Sequence, residues 1–361
     1  MTVYFRADAS HLIGTGHVMR CLTLASALAV QGFECKFICR EQPGNLITRI
    51  REKGFDVVAL ADTAGYFDQS DSTGHGHFLK CSQAHDANEC LAVLSGGVDH
   101  WVIVDHYGLD WRWEKTLISS CMKLIVIDDL ADRAHHCHIL LDQTFGRAET
   151  DYQALVPDSC KLLCGSQFAL LRPEFPVLRE RSLRRREKCE RVKKIIITMG
   201  GIDVNNVAGK VLGSLRSAAI PRDCEITIVT GIQFPWLATI ENQAARMPNP
   251  TSVCTYVDNM AELMAECDLA IGAAGSTSWE RCCLGLPTAL VVLANNQQLI
   301  ARKLVDVGAA FFLTTPAKDI DSLWLDPTKL APENLFQMSL KAASVTDGLG
   351  VRRTLEVFMT S

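Results

Sequence analysis

Two segments of the chain have the order apolar strand, glycine turn, helix. In the first, residues 3–5 form a short apolar strand, a glycine turn lies at 14–16, and apolar side chains then recur at helical spacing up to Gly32. In the second, an apolar strand at 194–199 runs into the turn 200–201. Repeated strand–turn–helix units build parallel sheets, so the two units predict two α/β halves.

The rest of the chain continues the alternation of strands and helices. Apolar runs typical of parallel strands buried on both faces lie at 33–39, 55–60, 101–105, 124–128 and 139–142, and then at 225–230, 252–256, 268–272 and 288–293. The length of 361 residues is enough for two ordinary domains. The predicted fold class is therefore α/β, with two Rossmann-like, doubly wound domains and a ligand in the cleft between them.

A basic stretch separates the two halves. Residues 179–194 hold nine basic and three acidic side chains, whereas the whole chain has a net charge of −5. We interpret the stretch as a solvated connection, not as a nucleic-acid site. The predicted boundaries are an N-terminal domain at 1–178, a basic linker at 179–193, a C-terminal domain at 194–345, and a helix at 346–361 that packs back on the N-terminal domain.

The hydropathy pattern predicts no membrane segment. The sequence lacks an apolar run of about 18 residues, and Arg6 and Asp8 interrupt the first apolar segment. We expect a soluble, cytoplasmic protein without a nucleic-acid, membrane or obligate protein partner.

The first glycine turn carries a candidate base. Free N–H groups at a helix start after Gly14 and Gly16 suit an anion or an oxyanion, although tight-turn packing explains the glycines equally well. His17 lies in the first turn of that helix, where the dipole disfavours imidazolium and leaves a neutral base. All ten histidines precede residue 139, so the N-terminal half supplies any histidine base.

The second half carries a candidate nucleotide site. Gly275, Ser276 and Thr277 open a helix whose small residues let a diphosphate approach the backbone. Glu280, one turn further, either accepts both ribose hydroxyls or complements the helix dipole. The Gly200-Gly201 turn is a second possible phosphate contact, and Asp203 stands just beyond it.

No metal or cofactor is predicted. The histidines at 71–77 belong to a polar segment without periodicity, within a long break at 62–90, and are interpreted as part of a surface loop. The cluster at 135–138 places adjacent side chains on opposite faces of an extended segment, which is poor ligand geometry. We interpret it as a loop too.

Several motifs resemble a known family. GTGHVMR and GAAGSTSWERCCLGLP resemble the MurG-like nucleotide-sugar enzymes, whose GT-B fold has two Rossmann-like domains facing across a cleft. More narrowly, RADASHLIGTGHVMRCLTLA, IVDHYGLDWRWE, ITMGGIDVNN and IGAAGSTSWE resemble the UDP-sugar hydrolase family of pseudaminic acid biosynthesis (PseG), in the same order along the chain.

The resemblance implies hydrolysis of UDP-2,4-diacetamido-2,4,6-trideoxy-β-L-altropyranose to UDP and free sugar, by C1–O cleavage with inversion and without metal. It makes His17 the base that activates water, and Tyr107 a second catalytic residue that faces the sugar. The further substrate contacts that we predict are Gly14, Gly16, Arg20, Gly200, Gly201, Asp203, Val257, Gly275, Ser276, Thr277, Glu280, Asn295, Asn296 and Gln297. The segments 62–90 and around 136 have no clear counterpart in the family.

Three points stay open at this stage. Asp8 is a candidate catalytic residue that either orients His17 or binds the sugar, and a turn aspartate is about as good an explanation. A MurG-type glycosyltransferase of the same fold would share the UDP site. A non-catalytic nucleotide-sugar binding protein would keep the fold as a scaffold.

Overall fold

The computed structural model describes residues 1–63, 74–94, 97–217, 220–232, 234–313 and 325–360. The chain divides into two compact units. Unit 1 comprises Met1–Leu170 together with the C-terminal helix, and unit 2 comprises Leu171–Leu349. Among the residues described, no helix is long and apolar enough to cross a membrane.

Unit 1 is built on one sheet of seven parallel strands in the order β3-β2-β1-β4-β5-β6-β7. The strands are β1 (Thr2–Ala7), β2 (Glu34–Arg40), β3 (Asp56–Leu60), β4 (His100–Asp105), β5 (Lys123–Ile127), β6 (Ile139–Asp142) and β7 (Lys161–Cys164). The helices between them are α1 (Gly16–Val30), α2 (Ile47–Glu52), α3 (Gln83–Val93) and α4 (Trp111–Leu117). The strand alternation gives the sheet two buried faces, since Val3 and Phe5 pack with Leu24 of α1 while Tyr4 packs with Val102 on the other face.

Unit 2 is built on a second parallel sheet, in the order β10-β9-β8-β11-β12-β13. The strands are β8 (Lys194–Thr198), β9 (Glu225–Thr230), β10 (Thr251–Thr255), β11 (Leu269–Ala273), β12 (Thr288–Val291) and β13 (Phe311–Phe312). The helices are α5 (Glu174–Arg186), α6 (Val207–Ser217), α7 (Leu237–Ala244), α8 (Met260–Glu266), α9 (Thr277–Cys283), α10 (Gln297–Asp306) and α11 (Pro332–Val345). Its core packs Ile195 and Ile197 of β8 against Val211 of α6.

The two sheets confirm the predicted fold class, because each unit is a Rossmann-like, doubly wound domain. Every strand predicted from an apolar run is present within two residues at each end. The strands β7 and β13, of four and two residues, were not predicted.

The predicted basic linker at 179–193 is wrong for most of its length. Residues 174–186 form α5 within unit 2, and its arginines bind backbone carbonyls. Arg179 donates to the carbonyls of Cys283, Ala343 and Thr346, and the buried Arg186 donates to Met264 and Cys267. Those carbonyls lie at or just beyond the C-terminal ends of α9, α11 and α8, where helices attract cations.

The last helix, α12 (Gly350–Thr360), belongs to unit 1. Phe358 is fully buried and meets the ring of Trp101 edge-on at 6.1 Å. Its carbonyl accepts a 2.6 Å hydrogen bond from Lys123 Nζ.

The 62–90 segment, expected to be a loop, contains helical structure among its described residues. Gly76–Phe78 form a single 3₁₀ turn, and α3 begins at Gln83 behind the cap Ser82. Residues 64–73, which hold part of the polar run, lie outside the described residues. The histidine-rich stretch 135–138 is a loop leading into β6, as predicted.

Each sheet has one point at which the strand order reverses, between β1 and β4 in unit 1 and between β8 and β11 in unit 2. Ligands of doubly wound sheets bind beyond the carboxyl ends of the strands at such points. In unit 1, the paired ends are Ala7 and Asp105. In unit 2, they lead into the turns at Gly200 and Gly275.

Candidate active site

His17 is presented by a tight turn between β1 and α1. Gly14 has φ +79°, and its N–H and carbonyl both pair with the backbone of Ser10, at 2.9 and 3.3 Å. Only a glycine adopts that conformation without strain. Gly14, predicted to contact an anion, is therefore needed for the turn itself. Gly16 is the first residue of α1, which makes His17 the second.

A carboxylate orients the imidazole of His17. Its Nδ1 lies 2.5 Å from Oδ1 of Asp105, the last residue of β4. An ionised carboxylate can only accept, so Nδ1 carries the hydrogen and Nε2 is left able to take a proton. The ring of Tyr107 meets the imidazole edge-on, with the centroids 4.4 Å apart. The geometry is that of an oriented histidine base.

Arg20 fixes Asp105 from one turn further along α1. Its Nε and Nη2 donate to Oδ2 and Oδ1 of Asp105 at 2.5 and 2.7 Å. Burial raises the pKa of the Asp105 carboxyl, but the charge of Arg20 and the hydrogen bonds from Arg20 and His17 outweigh burial and leave that pKa well below its ordinary value. The sequence predicts Arg20 as a substrate contact. The guanidinium is instead buried and committed to carboxylates.

Asp129 closes the network from the loop after β5. Its Oδ2 accepts from Arg20 Nη1 at 2.8 Å, and its Oδ1 accepts from the Tyr107 hydroxyl at 2.9 Å. Burial and the charge of Asp129 raise the pKa of the Tyr107 phenol. Arg20 therefore joins two strand ends, and Tyr107, predicted to be catalytic, is held against His17 by its hydroxyl.

Asp105 and Asp129 were missed from the sequence. Asp105 follows directly on an apolar run in IVDHYGLD, and Asp129 is the second residue after one in VIDD, so each was visible as a carboxylate at a strand end. What the sequence does not display is the strand order that sets β4 beside β1.

The hypothesis that Asp8 orients His17 is wrong. Asp8 is fully buried, and its carboxylate binds both terminal nitrogens of Arg6, at 2.6 and 2.9 Å, and the Arg40 N–H at 2.7 Å. Burial raises the pKa of Asp8 but Arg6 lowers it further, so the carboxylate stays ionised. Arg6 points into the unit and also binds Asp86 of α3. A buried guanidinium needs carboxylate partners, and Asp8 is one of them. Asp8 is thus also closed to the sugar.

In unit 2, the turn from β11 into α9 is built around a buried arginine. Arg281 Nη2 donates to the carbonyl of Ala273 at 2.7 Å and to Ser278 Oγ at 3.0 Å. A Cβ on Gly272 would lie 2.4 Å from Arg281 Nη1, so the glycine leaves room for the guanidinium. Gly275 and Thr277 are half-buried and Ser276 is exposed, which leaves this turn open to a ligand.

Two further predicted contacts border this turn. Glu280 is half-buried, 3.6 Å from Arg172 Nη2, and burial raises its pKa in spite of the positive charge of Arg172. Gln297 begins α10 with Nε2 beside Gly275, while its Oε1 accepts from the N–H of Leu293. Asn295 and Asn296, both exposed, precede it in the same loop.

The Gly200-Gly201 turn lies at the other side of the same switch point. Gly200 has φ +89°, and a Cβ on Gly231 would lie 1.8 Å from the carbonyl oxygen of Gly201. Asp203 accepts from the N–H groups of Val207 and Ala208, both at 2.8 Å. Asp203, predicted to bind substrate, therefore caps α6.

Val257 lies apart from these turns, in the loop between β10 and α8, where it is half-buried. The structure gives it no polar role, since its side chain is aliphatic. Its predicted contact with substrate stays a prediction.

Within the described ranges, no three or more His, Cys, Asp or Glu side chains are grouped to hold a metal ion. Two of the three histidines of the 135–138 loop have protein partners for their rings. His135 Nδ1 lies 2.7 Å from Glu114, and His138 Nδ1 accepts from the N–H of Leu124 at 2.9 Å.

The fold defines the class of protein. The structure is similar to that of MurG from Acinetobacter baumannii, with a TM-score of 0.67 over all of this chain and 99% of that chain, at 16% sequence identity. Residues 195–349, most of unit 2, match the glycosyltransferase family 28 C-terminal domain. The chain thus has the two Rossmann-like domains of MurG-like proteins.

The sequence is similar to that of particular proteins with this fold. Over 85% of this chain and 97% of the relative, 28% of residues are identical to UDP-2,4-diacetamido-2,4,6-trideoxy-beta-L-altropyranose hydrolase of Campylobacter jejuni. Spore coat polysaccharide biosynthesis protein SpsG of Bacillus subtilis is 25% identical over 44% of this chain and 45% of its own length. The resemblance drawn from the four motifs is thereby confirmed.

Proposed function

We propose that the protein is an enzyme that hydrolyses a UDP-linked sugar to UDP and free sugar. The observation that carries the proposal is the pair formed by His17 and Asp105 at the strand-order reversal of unit 1. A histidine fixed through Nδ1 by a buried carboxylate is suited to take a proton from water through Nε2. The similarity to the Campylobacter jejuni hydrolase supports the same reading.

The proposed reaction is attack of water on the anomeric carbon. His17 Nε2 removes a proton from water, the water oxygen bonds to C1, and the C1–O bond to the diphosphate breaks. The electron pair of that bond leaves on the β-phosphate oxygen of UDP. Attack on the face opposite the leaving group inverts C1. Asp105 stabilises the imidazolium that forms, and Arg20 and Asp129 keep Asp105 in place.

Unit 2 is proposed to hold the nucleotide. The half-open turn at Gly275, Ser276 and Thr277 offers backbone and hydroxyl donors to the diphosphate. Glu280 accepts the ribose hydroxyls. The loops at Gly200-Gly201, Val257 and 295–297 supply the remaining predicted contacts.

The proposed substrate is UDP-2,4-diacetamido-2,4,6-trideoxy-β-L-altropyranose, as in the name of the Campylobacter jejuni relative. The reaction needs neither metal nor organic cofactor, because the charged diphosphate is already a good leaving group. It would supply free sugar for pseudaminic acid synthesis in the cytoplasm, with the UDP-sugar as the sole required partner.

Hydrolysis in ¹⁸O-water tests the proposal. UDP-sugar is incubated with enzyme, and both products are examined by mass spectrometry. We expect one ¹⁸O in the free sugar and none in UDP. Label in UDP would mean attack at phosphorus and would remove His17 from its proposed role, and no release of UDP would refute the hydrolase function.

The match of residues 195–349 to a glycosyltransferase domain favours a second candidate, a MurG-type UDP-sugar transferase. A transferase releases UDP slowly unless an acceptor is present. UDP release from donor alone, compared with release after addition of a lipid-linked or soluble sugar acceptor, separates the two. A non-catalytic binding protein would bind the UDP-sugar and release nothing in either assay.

A further inference from the structure

The segment before α3 brings two more aromatic rings to the neighbourhood of His17. The Phe78 ring centroid lies 5.9 Å from that of Tyr107, and the His75 centroid lies 5.9 Å from it as well. His75 and Phe78 stack with an interplanar angle of 13°. We name this pair the aromatic wall. Tyr107 lies between the aromatic wall and His17. The ring centroids of Tyr107 and His17 are 4.4 Å apart.

Hydrogen bonds from other parts of the unit, and not the two rings, fix the backbone of this segment. Gln42 Nε2 donates to the carbonyl of Phe78 at 3.0 Å, and Thr63 Oγ1 donates to the carbonyl of Lys80 at 3.0 Å. Leu79 between them is buried. Because Gln42 and Thr63 follow β2 and β3, these anchors fix the segment at the carboxyl edge of the sheet, where His17 also lies.

The rings of His75 and Phe78 are not part of the hydrophobic core. Phe78 and His75 are half-exposed, whereas the neighbouring Leu79 carries the packing. His75 is oriented from outside by Asp132, whose Oδ2 lies 2.7 Å from its Nε2. The exposed His77 also packs on Phe78, with the ring centroids 3.9 Å apart. The half-exposed pair, anchored through polar contacts, still leaves ring surface open to something other than the protein interior.

We propose that the aromatic wall binds the sugar of the UDP-sugar and selects for apolar substituents on it. The inference rests on the proposed function. A water molecule activated by His17 reacts at the anomeric carbon, so the sugar ring must lie beside His17 and Tyr107. A 6-deoxy sugar with acetamido groups carries methyl groups, and these pack favourably on aromatic faces. A sugar with a 6-hydroxyl would bury that polar group against the Phe78 ring, which offers it no hydrogen-bond partner.

The test compares the affinity for UDP-sugar with the affinity for UDP. Calorimetry is done in a His17→Gln background, which prevents turnover, with Phe78→Leu and Phe78→Ala. Phe78→Leu keeps an apolar side chain, so it remains informative if the alanine variant is destabilised. We expect the dissociation constant of the UDP-diacetamido-trideoxy sugar to rise about twofold to tenfold, with that of UDP unchanged. His85→Ala, an exposed histidine of α3, is the matched control.

A substrate panel on the otherwise native enzyme gives the second measurement. Phe78→Leu and His75→Ala are expected to raise KM more than they lower kcat, and to reduce the preference over UDP-N-acetylglucosamine. Unchanged affinity ratios and unchanged preference in folded variants would overturn the aromatic wall. A parallel loss of UDP affinity would also overturn it, because the wall is then not a sugar contact.

The two proposals fail separately. If native enzyme releases no UDP, the hydrolase function falls, and the calorimetric ratio still decides on the wall. If native enzyme is active but the ratio is the same with and without Phe78, the wall alone falls.

Discussion

Replacing Asp105 by asparagine should remove most of the activity while leaving substrate binding nearly intact. The amide has the same shape but no charge, and its NH₂ group can donate to Nδ1 of His17. That would favour the tautomer with hydrogen on Nε2, which cannot accept a proton from water. It would also remove the negative charge that stabilises the imidazolium.

The size of the effect follows from the contacts. Loss of general-base function typically costs about 10² to 10⁴ in rate, and we expect kcat to fall within that range with KM changed less than about threefold. Asp105 also accepts two hydrogen bonds from Arg20, which would be left partly unpaired in the unit interior. Breaking a buried ion pair costs roughly 3–5 kcal/mol of folding free energy, so the variant should be folded but less stable.

The assay is steady-state UDP release together with urea unfolding over a range of pH. The folded-state pKa of Asp105 is lowered, so its stabilising contribution is present near neutrality and is lost as pH falls through that pKa. The stability gap between native and variant protein should therefore shrink in acid. Asp99→Asn, an exposed carboxylate just before the same strand, serves as the control. A kcat for Asp105→Asn within threefold of native would refute the role given to Asp105.

Four other outcomes are expected. His17→Ala should lower kcat about 10²- to 10⁴-fold with UDP affinity within a few-fold of native, and near-normal turnover would exclude it as the base. Glu280→Ala should weaken UDP binding by roughly 1.5–3 kcal/mol, measured by calorimetry, and unchanged binding would leave Glu280 to the helix dipole. EDTA should not change the rate, and loss of activity restored by Mg²⁺ or Mn²⁺ would contradict metal-free hydrolysis. Burial and Asp129 raise the pKa of Asp142 to about 6, so native protein should lose up to about 3 kcal/mol of stability relative to Asp142→Asn between pH 4 and 7; urea unfolding with no such trend would show that Asp142 ionises normally.

Much of the fold was readable from the sequence because its signals are local. Strands buried on both faces leave apolar runs, and a helix that starts at a glycine turn leaves Gly14 and Gly16 a few residues before its apolar stripe. The basic stretch at 179–193 was predicted wrongly as a linker because charge alone does not reveal what a side chain binds. Arg179 and Arg186 bind carbonyls, which have no sequence signature.

The site was readable only in part, because its contacts are distant along the chain. His17 was found by its place at a helix start, but its partner Asp105 is 88 residues away. Asp8, nine residues from His17, seemed the nearer partner by sequence alone. Its carboxylate is bound instead by Arg6.

The charges around His17 also bear on which bond such a site can break. Arg20 and His17 keep Asp105 ionised, and the raised pKa of Tyr107 keeps its phenol protonated with the hydroxyl committed to Asp129. Neither is therefore suited to protonate the glycosidic oxygen of a departing group. Hydrolysis of an ordinary glycoside uses a carboxylic acid with a raised pKa for that step. A UDP leaving group departs as a stable diphosphate anion and needs no such acid, so a histidine base whose neighbours Asp105 and Tyr107 supply no acid suits the proposed nucleotide-sugar hydrolase.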